Sequence, residues 1–328
     1  MPAVISFGEA LVDFTALETG VPLAEASGFH KHAGGAPANV AVGLSRLGTR
    51  AGFVGKVGRD PFGQFLAQTL ESEGVDLRGL EFTTEARTGL TFISLREDGE
   101  RDFSFYRHPG ADMFYRPEDM DPTLLQGADV FHLGSLSLST EPSASAAWAW
   151  VREARAAGLK ISLDPNLRLD LFSSPDQARE VIRQAARRAD WIKLSEAEFH
   201  FLTGQEPDPE HPGQIRAAAG DLWEEKLELL VITLGGEGCL ALTQAYDLLE
   251  PGFQVDAVDT TGAGDAFTAG LLAGLVGSPS TPPGPERLAS ILREANAAGA
   301  LTTTGSGVIP ALPTRSAVDQ LLAGQLER

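Results

Sequence analysis

The chain has 328 residues, of which 43% are hydrophobic, and this is enough to fill the core of one large α/β domain or of two smaller ones. The net charge of −19 argues against nucleic acid or an anionic membrane as a partner, because both would be repelled over the whole surface. No apolar run is long enough to span a membrane and the N-terminal residues lack the pattern of a signal peptide, so we expect a cytoplasmic protein.

Short apolar, β-branched runs alternate along the chain with longer segments of helical period. In chain order, strands are predicted at 3–7, 52–54, 130–133, 160–163, 191–194 and 229–234, and helices at about 37–47, 61–73, 142–157 and 175–189. This alternation predicts a parallel sheet covered by helices on both faces. A further strand is predicted at 253–258, shortly before a helix at 266–276 whose apolar residues recur with helical spacing.

Two segments, at about 13–32 and 88–110, interrupt this alternation. The second contains two strand-like stretches that flank Asp98-Gly99, a hairpin turn signal. The first lacks a helical period and could add further strands. We therefore expect one domain over residues 1–328, an α/β body from which these two segments project as a small β lid.

The segment at 259–267, Asp-Thr-Thr-Gly-Ala-Gly-Asp-Ala-Phe, places glycines at the start of a predicted helix. These glycines allow successive backbone N–H groups to point at one place, where the helix dipole adds partial positive charge and an anion such as a phosphate can bind. A carboxylate repels that anion, but Asp265 is suited to accept a proton from a hydroxyl that attacks the phosphorus. The alternative is an ordinary glycine turn, with Asp265 as an early-helix carboxylate.

A second glycine turn, Gly34-Gly35, precedes the helix at 37–47. Its glycines would allow a small polar ligand to contact the backbone, and Asn39 in the first helical turn offers a donor and an acceptor. For Asn39 the alternative is helix capping. Asp13 follows the first strand at the sheet edge where ligands of open parallel sheets bind, and its carboxylate can accept two sugar hydroxyls. For Asp13 the alternative is a turn aspartate.

Other common motifs are absent from the sequence. It contains no GxxxxGK[ST] P-loop and no complete GxGxxG motif. No two of the six histidines have the spacing of a metal site on a helix, and a single cysteine, Cys239, excludes an internal disulfide and a CxxC metal site. An anionic ligand must therefore be held locally, by backbone amides, a few arginines or a metal.

The two glycine turns resemble the two signatures of the ribokinase-like, phosphofructokinase B type sugar kinases. Gly34, Gly35 and Asn39 match the first signature, and the segment at 259–267 matches the second. The resemblance extends over essentially the whole chain and is greatest to the fructokinases of this family, at residues 105–113, 131–136, 164–168, 193–198 and 295–304. It implies a ribokinase-like three-layer α/β sandwich with a mostly parallel central sheet and a small β-strand lid.

The resemblance also implies roles for individual residues. Asp265 would be the general base, and the anion hole would consist of Gly262, Ala263, Gly264 and Asp265. The residues implied at the sugar or the transferred phosphoryl group are Asp13, Gly34, Gly35, Asn39, Arg107 and Arg168. Those implied on the nucleotide side are Asn166, Ser195, Thr233, Gly235, Gly238 and Asn296. Glu198 would help to organise Mg2+ and its waters.

From these residues and the resemblance we expect ATP-dependent phosphorylation of a sugar hydroxyl, converting D-fructose to D-fructose 6-phosphate. The alternatives are a 2-keto-3-deoxygluconate kinase and a non-catalytic sugar-binding protein with a kinase fold. The expected cofactors are ATP and Mg2+, together with a monovalent cation such as K+. The expected partners are the sugar and ATP, with neither nucleic acid nor membrane, and a second copy of the chain joined through the lid, since a two-stranded ribbon is marginally stable alone.

Overall fold

The apolar runs of the sequence form strands in the computed structural model of the protein, which describes residues 1–95, 101–223, 226–278 and 282–324. The strands are β1 (Val4–Phe7), β2 (Leu11–Ala16), β3 (Phe29–Gly34), β4 (Ala51–Gly58), β5 (Asp76–Thr83), β6 (Leu90–Leu95), β7 (Arg101–Tyr106), β8 (Val130–Leu133), β9 (Lys160–Leu163), β10 (Trp191–Ser195), β11 (Leu229–Thr233), β12 (Gly238–Thr243) and β13 (Asp247–Pro251). Within the described residues, nine of them form a sheet of order β13-β12-β11-β10-β9-β8-β1-β4-β5, and four form a second sheet of order β3-β2-β6-β7. The large sheet is parallel except for β12 and β13 at one edge.

The helices are α1 (Ala36–Arg46), α2 (Pro61–Ser72), α3 (Ser143–Ala156), α4 (Pro175–Ala186), α5 (Glu196–Thr203), α6 (Pro212–Ala219), α7 (Ala263–Leu275), α8 (Pro285–Thr302), α9 (Val308–Ala311) and α10 (Arg315–Leu322). Local sequence explains where several of them begin. Proline stands in the first turn of α1, α2, α4, α6 and α8, and the Asp60 carboxylate accepts the N–H groups of Phe62 and Gly63 at the start of α2. In the described ranges we find no helix with both the length and the apolar character needed to cross a bilayer.

Strand β1 shows why the apolar runs lack polar alternation. Val4 packs into a hydrophobic core that includes residues of α1, α2, α7, α8 and α10, whereas Ile5 and Phe7 pack into a second core with residues of α3, α4, α5 and α6. A parallel strand that is buried on both faces needs apolar residues at successive positions. The protein is therefore the three-layer α/β sandwich with a small second sheet that the sequence predicts.

Helices α1, α7 and α8 pack closely because glycines lie at their contacts. A Cβ atom at Gly43 of α1 would lie 2.7 Å from Cβ of Ala269 in α7, and one at Gly270 would lie 2.8 Å from Cα of Ala295 in α8. Asn39 and Asp265 each lie one turn before Gly43 and Ala269, on the same faces of α1 and α7. The close approach of the two helices therefore also sets the separation of these two polar side chains.

The second sheet is the predicted lid. In it, β2 pairs antiparallel with β3 and parallel with β6, and β6 pairs antiparallel with β7. The register places Ile93 opposite Phe103 on the face that lines the cavity described below, whereas Phe92 lies on the other face and stacks on Phe14. The predicted hairpin turn at Asp98-Gly99 lies outside the described residues.

The edge of the large sheet differs from the prediction. The sequence predicts a strand at 253–258, but these residues pair with no strand in the described ranges; Val258 instead donates its N–H to the carbonyl of Thr303 and is 64% exposed. The last strand of the sheet is β13, whose residues are alternately exposed and half-buried. Because an edge strand packs on one face only, β13 lacks the continuous apolar run that identifies β1 and β11.

Candidate active site

A cavity of about 600 Å3 lies between the lid and the carboxyl ends of the large sheet's strands. Its lining includes Asp13 from the lid, Asn39 from α1, Asn166 after β9 and Asp265 from α7. Ligands of open α/β sheets bind at this edge, and small-molecule sites occupy roughly 300–1,000 Å3. The cavity is therefore large enough to be the binding site for two small substrates.

The predicted anion-binding turn lies on the wall of this cavity. Gly262 precedes α7 with a φ of 83°, in the left-handed region that favours glycine, and a Cβ atom there would lie 2.3 Å from Cγ1 of Val308. Among the described residues, no side chain caps the N-terminus of α7. Its first N–H groups, next to the cavity residues Gly262 and Gly264, are thus available to an anion.

Asp265 is 6% exposed, and both of its carboxylate oxygens accept hydrogen bonds from amide side chains. Nδ2 of Asn39 donates to Oδ2 at 2.7 Å, and Nδ2 of Asn166 donates to Oδ1 at 3.0 Å. Neither Asp265 nor Asn39 therefore caps a helix. Burial raises the pKa of Asp265 to about 6, against the hydrogen bond from Asn39, which lowers it. A carboxylate with such a pKa is ionised at neutral pH and is suited to accept a proton.

Two further carboxyl groups line the cavity wall, that of Glu9, which is buried, and that of Asp13, which is half-buried. Burial raises the pKa of each to about 7. Asp13 lies in strand β2 of the lid and not in a turn, and Gly34 on the paired strand makes room for it, because a Cβ atom there would lie 2.0 Å from Oδ2 of Asp13. Oε1 of Glu9 accepts the N–H of Ala36 at 3.2 Å. Glu9 therefore fixes the start of α1, next to Gly35.

Lys193 supplies a buried positive charge behind the anion-binding turn. Its Nζ atom lies 3.2 Å from Oδ2 of Asp164, and a Cβ atom at Gly264 would lie 3.0 Å from the same Nζ. Burial alone lowers the pKa of Lys193, but the surrounding carboxylates, led by Asp164, more than offset this and raise it. The ammonium group therefore stays charged close to where the turn would hold a phosphate.

The two arginines implied at the substrate lie in different places. Arg168 lines the cavity, and its charge lowers the pKa of both Asp13 and Asp265. Arg107 is 2% exposed and is not among the described residues of the lining; its Nη2 atom lies 2.5 Å from Oδ2 of Asp112. A neighbouring carboxylate therefore holds the Arg107 guanidinium in a buried ion pair, and its place at the sugar stays a prediction.

The residues implied on the nucleotide side also divide into two groups. Asn166 and Ser195 line the cavity. Those that lie beyond the described lining are Thr233, Gly235, Gly238 and Asn296. Gly238 has a φ of 112° and a Cβ atom there would lie 2.1 Å from the carbonyl oxygen of Glu250, to which Nδ2 of Asn296 donates at 3.1 Å. Gly238 and Asn296 therefore hold the hairpin of β12 and β13 in place.

Glu198, the residue implied at Mg2+, lines the cavity and is 8% exposed. Oε1 accepts the N–H of Leu167 and Oε2 accepts that of Ser195, each at 2.8 Å. No cluster of three or more His, Cys, Asp or Glu that could hold a metal occurs in the described part of the chain. Mg2+ keeps several waters and is commonly bound by one or two carboxylates plus substrate phosphates. A single cavity carboxylate such as Glu198 fits a metal that enters with the phosphates.

Sequence reasoning missed three charged residues of this site, namely Glu9, Asp164 and Lys193. The sequence position of Glu9 could have identified it as a site residue, since this carboxylate comes just after the carboxyl end of β1, where ligands of open parallel sheets bind. Asp164 directly follows β9 and Lys193 lies within β10, both in segments that resemble fructokinases. Their charges meet only because these two strands are neighbours in the sheet.

Comparisons with known proteins agree with this geometry. The family described as pfkB family carbohydrate kinase matches residues 1–315. The chain is 49% identical over 324 residues to probable fructokinase-2 of Arabidopsis thaliana, covering 99% of this chain and 97% of that protein. Its structure is similar to that of a fructokinase from Xylella fastidiosa with bound ATP, with a TM-score of 0.88, 35% identity and 100% of both chains covered. A double mutant of the fructokinase from Vibrio cholerae O395, in a form with fructose, ADP and potassium ion bound, gives a TM-score of 0.87 at 35% identity, with 98% of both chains covered.

Proposed function

The chain belongs to the pfkB family of carbohydrate kinases, and we propose that it phosphorylates D-fructose to D-fructose 6-phosphate with ATP. The observation that carries this proposal is Asp265, a buried carboxylate held by Asn39 and Asn166 at an anion-binding helix start. The choice of fructose is supported by the relatives named above, which are fructokinases, one of them with fructose bound.

In this function Asp265 takes the proton from the sugar hydroxyl as the hydroxyl oxygen attacks the γ-phosphorus of ATP in line with the leaving oxygen. The bond between the γ-phosphorus and the bridging oxygen breaks, and ADP leaves. The N–H groups at the start of α7 and the nearby charges of Lys193 and Arg168 offset the negative charge on the transferred group. Asp13 would accept hydroxyl groups of the sugar from the lid side of the cavity.

Mg2+ is the divalent metal that we propose, and Glu198 on the cavity wall would help to hold it. When bound, Mg2+ would neutralise charge on the phosphates. Asn166 and Ser195 lie on the same side of the cavity as Glu198 and contribute to its polar lining. We also propose a monovalent cation, because a related fructokinase is described with a bound potassium ion.

The lid is proposed to close the cavity and to join two copies of the chain. Phe92 and Phe29 pack edge to face on the lid face that points away from the cavity, and Tyr106 beside them is 65% exposed. Large exposed aromatic side chains on an edge strand are typical of an interface. We propose that the whole chain works as one kinase domain, as a homodimer through this face, in the cytoplasm.

The direct test is turnover of purified protein with ATP and Mg2+ against a panel of sugars, following ADP release and the sugar phosphate formed. The expected result is the highest kcat/KM for fructose. A higher kcat/KM for 2-keto-3-deoxygluconate would assign the first alternative function. Calorimetric binding of fructose without turnover of any sugar would assign the second, a sugar-binding protein with a kinase fold. Asp265→Asn is the control for contaminating kinases.

A further inference from the structure

We infer that residues 164–167, the strand-end segment that follows β9, position the catalytic base, and that Asn166 acts on turnover through Asp265 and not through the nucleotide. The inference rests on the proposed function, since it takes Asp265 as the general base. The observation that carries it is the direct hydrogen bond from Asn166 to the Asp265 carboxylate. Asn166 is therefore proposed as a positioning residue.

The strand-end segment holds helix α7 at two points. Nδ2 of Asn166 donates to Oδ1 of Asp265 at 3.0 Å, and Oγ1 of Thr268 donates to Oδ2 of Asp164 at 2.8 Å. Asp265 and Thr268 are neighbours on one face of α7, about one turn apart. Two attachments on the same face fix the rotation of the first turn of α7 about its axis, and with it the direction of the base.

The segment is itself fixed by the strands and helices around it. The carbonyl of Pro165 accepts the N–H of Ser135 at 2.9 Å, and the N–H of Asp164 donates to the carbonyl of Leu133 at 3.2 Å. At its other end the N–H of Leu167 donates to Oε1 of Glu198 at 2.8 Å. Because the end of β8 holds one end of the segment and α5 holds the other, the segment cannot move away from Asp265 without breaking several hydrogen bonds at once.

The backbone of Asn166 supports the same conclusion. Its φ is 44°, and within the described residues it is the one residue other than glycine with a positive φ. Such conformations cost free energy and persist where the surrounding structure fixes them, frequently at functional sites. The chain has three asparagines, and two of them donate to Asp265. The strained backbone of Asn166 thus places its side-chain amide against Asp265.

The two amides that hold the base differ in what else they can do. Oδ1 of Asn39 is buried without a hydrogen-bond partner in the described chain, so this residue can also accept a hydroxyl of the sugar. Asn166 faces Asp265 from the strand side, and its Nδ2 donates to the oxygen that Asn39 does not contact. Donors to a carboxylate stabilise its charged form and lower its pKa. Removal of the Asn166 amide should therefore raise the pKa of Asp265 and loosen its orientation.

Asn166→Gly is the first test, because glycine adopts a positive φ without strain and the change removes only the side chain. The expected result is a fall in kcat of about 10- to 100-fold, as for a misplaced reacting group. The acid limb of the kcat/KM profile should move to higher pH, while the KM for ATP changes by less than about 2-fold. An unchanged kcat and acid limb would overturn the inference, and a raised KM for ATP with an unchanged acid limb would assign Asn166 to the nucleotide instead.

Asn166→Asp tests whether the hydrogen bond that Asn166 donates matters, as opposed to the shape of its side chain. Aspartate has the size of asparagine and tolerates a positive φ, but it places a second carboxylate against Asp265. Turnover should therefore be highest in the unsubstituted protein, lower in Asn166→Gly and lowest in Asn166→Asp. If Asn166→Asp turned over as fast as the unsubstituted protein, a hydrogen bond donated to Asp265 would not be what matters. Thr268→Val, which removes the second attachment, should lower kcat without altering the KM for ATP. Gln244→Ala is the control, since its Nε2 donates to the Leu227 carbonyl at 3.1 Å, away from the described lining of the cavity, and kcat should not change.

A readout independent of substrate keeps this inference separate from the proposed function. The Asp265 carboxyl carbon is titrated by 13C NMR, with its signal assigned by its loss in Asp265→Asn. Asn166→Gly should raise the measured pKa of Asp265 relative to the unsubstituted protein. If no sugar is phosphorylated but this pKa rises, the proposed function fails and the positioning contact stands; an unchanged pKa would overturn the positioning contact whatever the substrate. Melting temperatures of all variants show whether each is folded at the temperature of the assay.

Discussion

Asp265→Asn is the perturbation that tests the catalytic site most directly. Both oxygens of Asp265 accept hydrogen bonds from amide N–H groups. An asparagine at position 265 has one oxygen and one NH2 group, so its NH2 group would face the NH2 group of Asn39 or of Asn166. Asn39 can relieve this conflict by rotating its amide, because its Oδ1 has no hydrogen-bond partner in the described chain. The variant should therefore keep the shape of the site while losing the proton acceptor.

Two magnitudes follow from the structure. General base catalysis contributes about 100- to 10,000-fold, so kcat should fall by at least about 100-fold, or about 2.7 kcal/mol in the barrier. Burial raises the pKa of Asp265 from 3.8 to about 6, which corresponds to about 3 kcal/mol of destabilisation of the charged form at neutral pH. Asparagine avoids that cost but loses a charge-assisted hydrogen bond worth about 1.5–3 kcal/mol. At pH 8 the melting temperature should therefore not fall.

The assay combines kcat at saturating fructose and ATP, the Kd for ATP by calorimetry, and the melting temperature at pH 8, all on one preparation. The Kd for ATP should stay the same or decrease, because a negative charge next to the phosphates is removed. If Asp265 were an early-helix capping residue, stability would instead fall by about 1 kcal/mol with normal kcat in the folded fraction. Turnover within a few-fold of the unsubstituted protein would refute Asp265 as the base.

Four further outcomes are expected. Gly34→Ala places a Cβ atom 2.0 Å from Oδ2 of Asp13 and should raise the KM for fructose by about 10-fold or more with little change in the Kd for ATP; an equal rise for both substrates would contradict a local effect on Asp13. Arg107→Ala leaves Asp112 buried and unpaired, so the free energy of unfolding should fall by about 3–5 kcal/mol, and a stable variant with a raised fructose KM would return Arg107 to the sugar site. The folded protein should hold a proton on Glu9 between pH 4.5 and about 7 while the unfolded chain has lost it, so the free energy of unfolding should decrease as pH rises through this window; Glu9→Gln should flatten that decrease, and an identical pH dependence would argue against the raised pKa. Tyr106→Glu, at the exposed aromatic face of the lid, should convert a dimer to a monomer in sedimentation at micromolar concentration, whereas a monomer before substitution would refute the dimer.

The fold was predictable wherever burial imposes a pattern. Strand β1 is buried on both faces and is therefore apolar at successive positions, whereas helix α7 carries apolar residues at helical spacing. The edge strand β13 has only alternating half-burial, and the segment at 253–258 has strand-like composition without a partner in the described chain. Pairing at a sheet edge depends on which other strand lies beside it, and a short stretch of sequence does not contain that information.

The same contrast applies to the site. The geometry of the turn at 262–265 was predictable because it depends on adjacent residues: glycines, a helix start and a carboxylate. The contact between Asn166 and Asp265 was not, since the two residues are far apart in sequence and meet because the end of β9 lies against α7. Arg107 shows the reverse case, in which a local contact was open to prediction. Its ion-pair partner, Asp112, lies within the same segment, and a local carboxylate was a sufficient reason to expect a buried pair.

A protein of net charge −19 has to bind a polyanion in a cavity lined by several carboxyl groups, among them those of Glu9, Asp13, Glu198 and Asp265. Burial raises the pKa values of Glu9 and Asp13 to about 7, so near neutral pH these two groups carry less negative charge than their number suggests. Lys193 remains charged behind the anion-binding turn because Asp164 is its immediate partner. Among Glu9, Asp13 and Asp265, whose pKa values burial raises, Asp265 has the lowest, at about 6, and two amides donate to it. The charge distribution of the cavity thus keeps Asp265 ionised, where we propose that the proton is accepted, and reduces the electrostatic repulsion of ATP by Glu9 and Asp13.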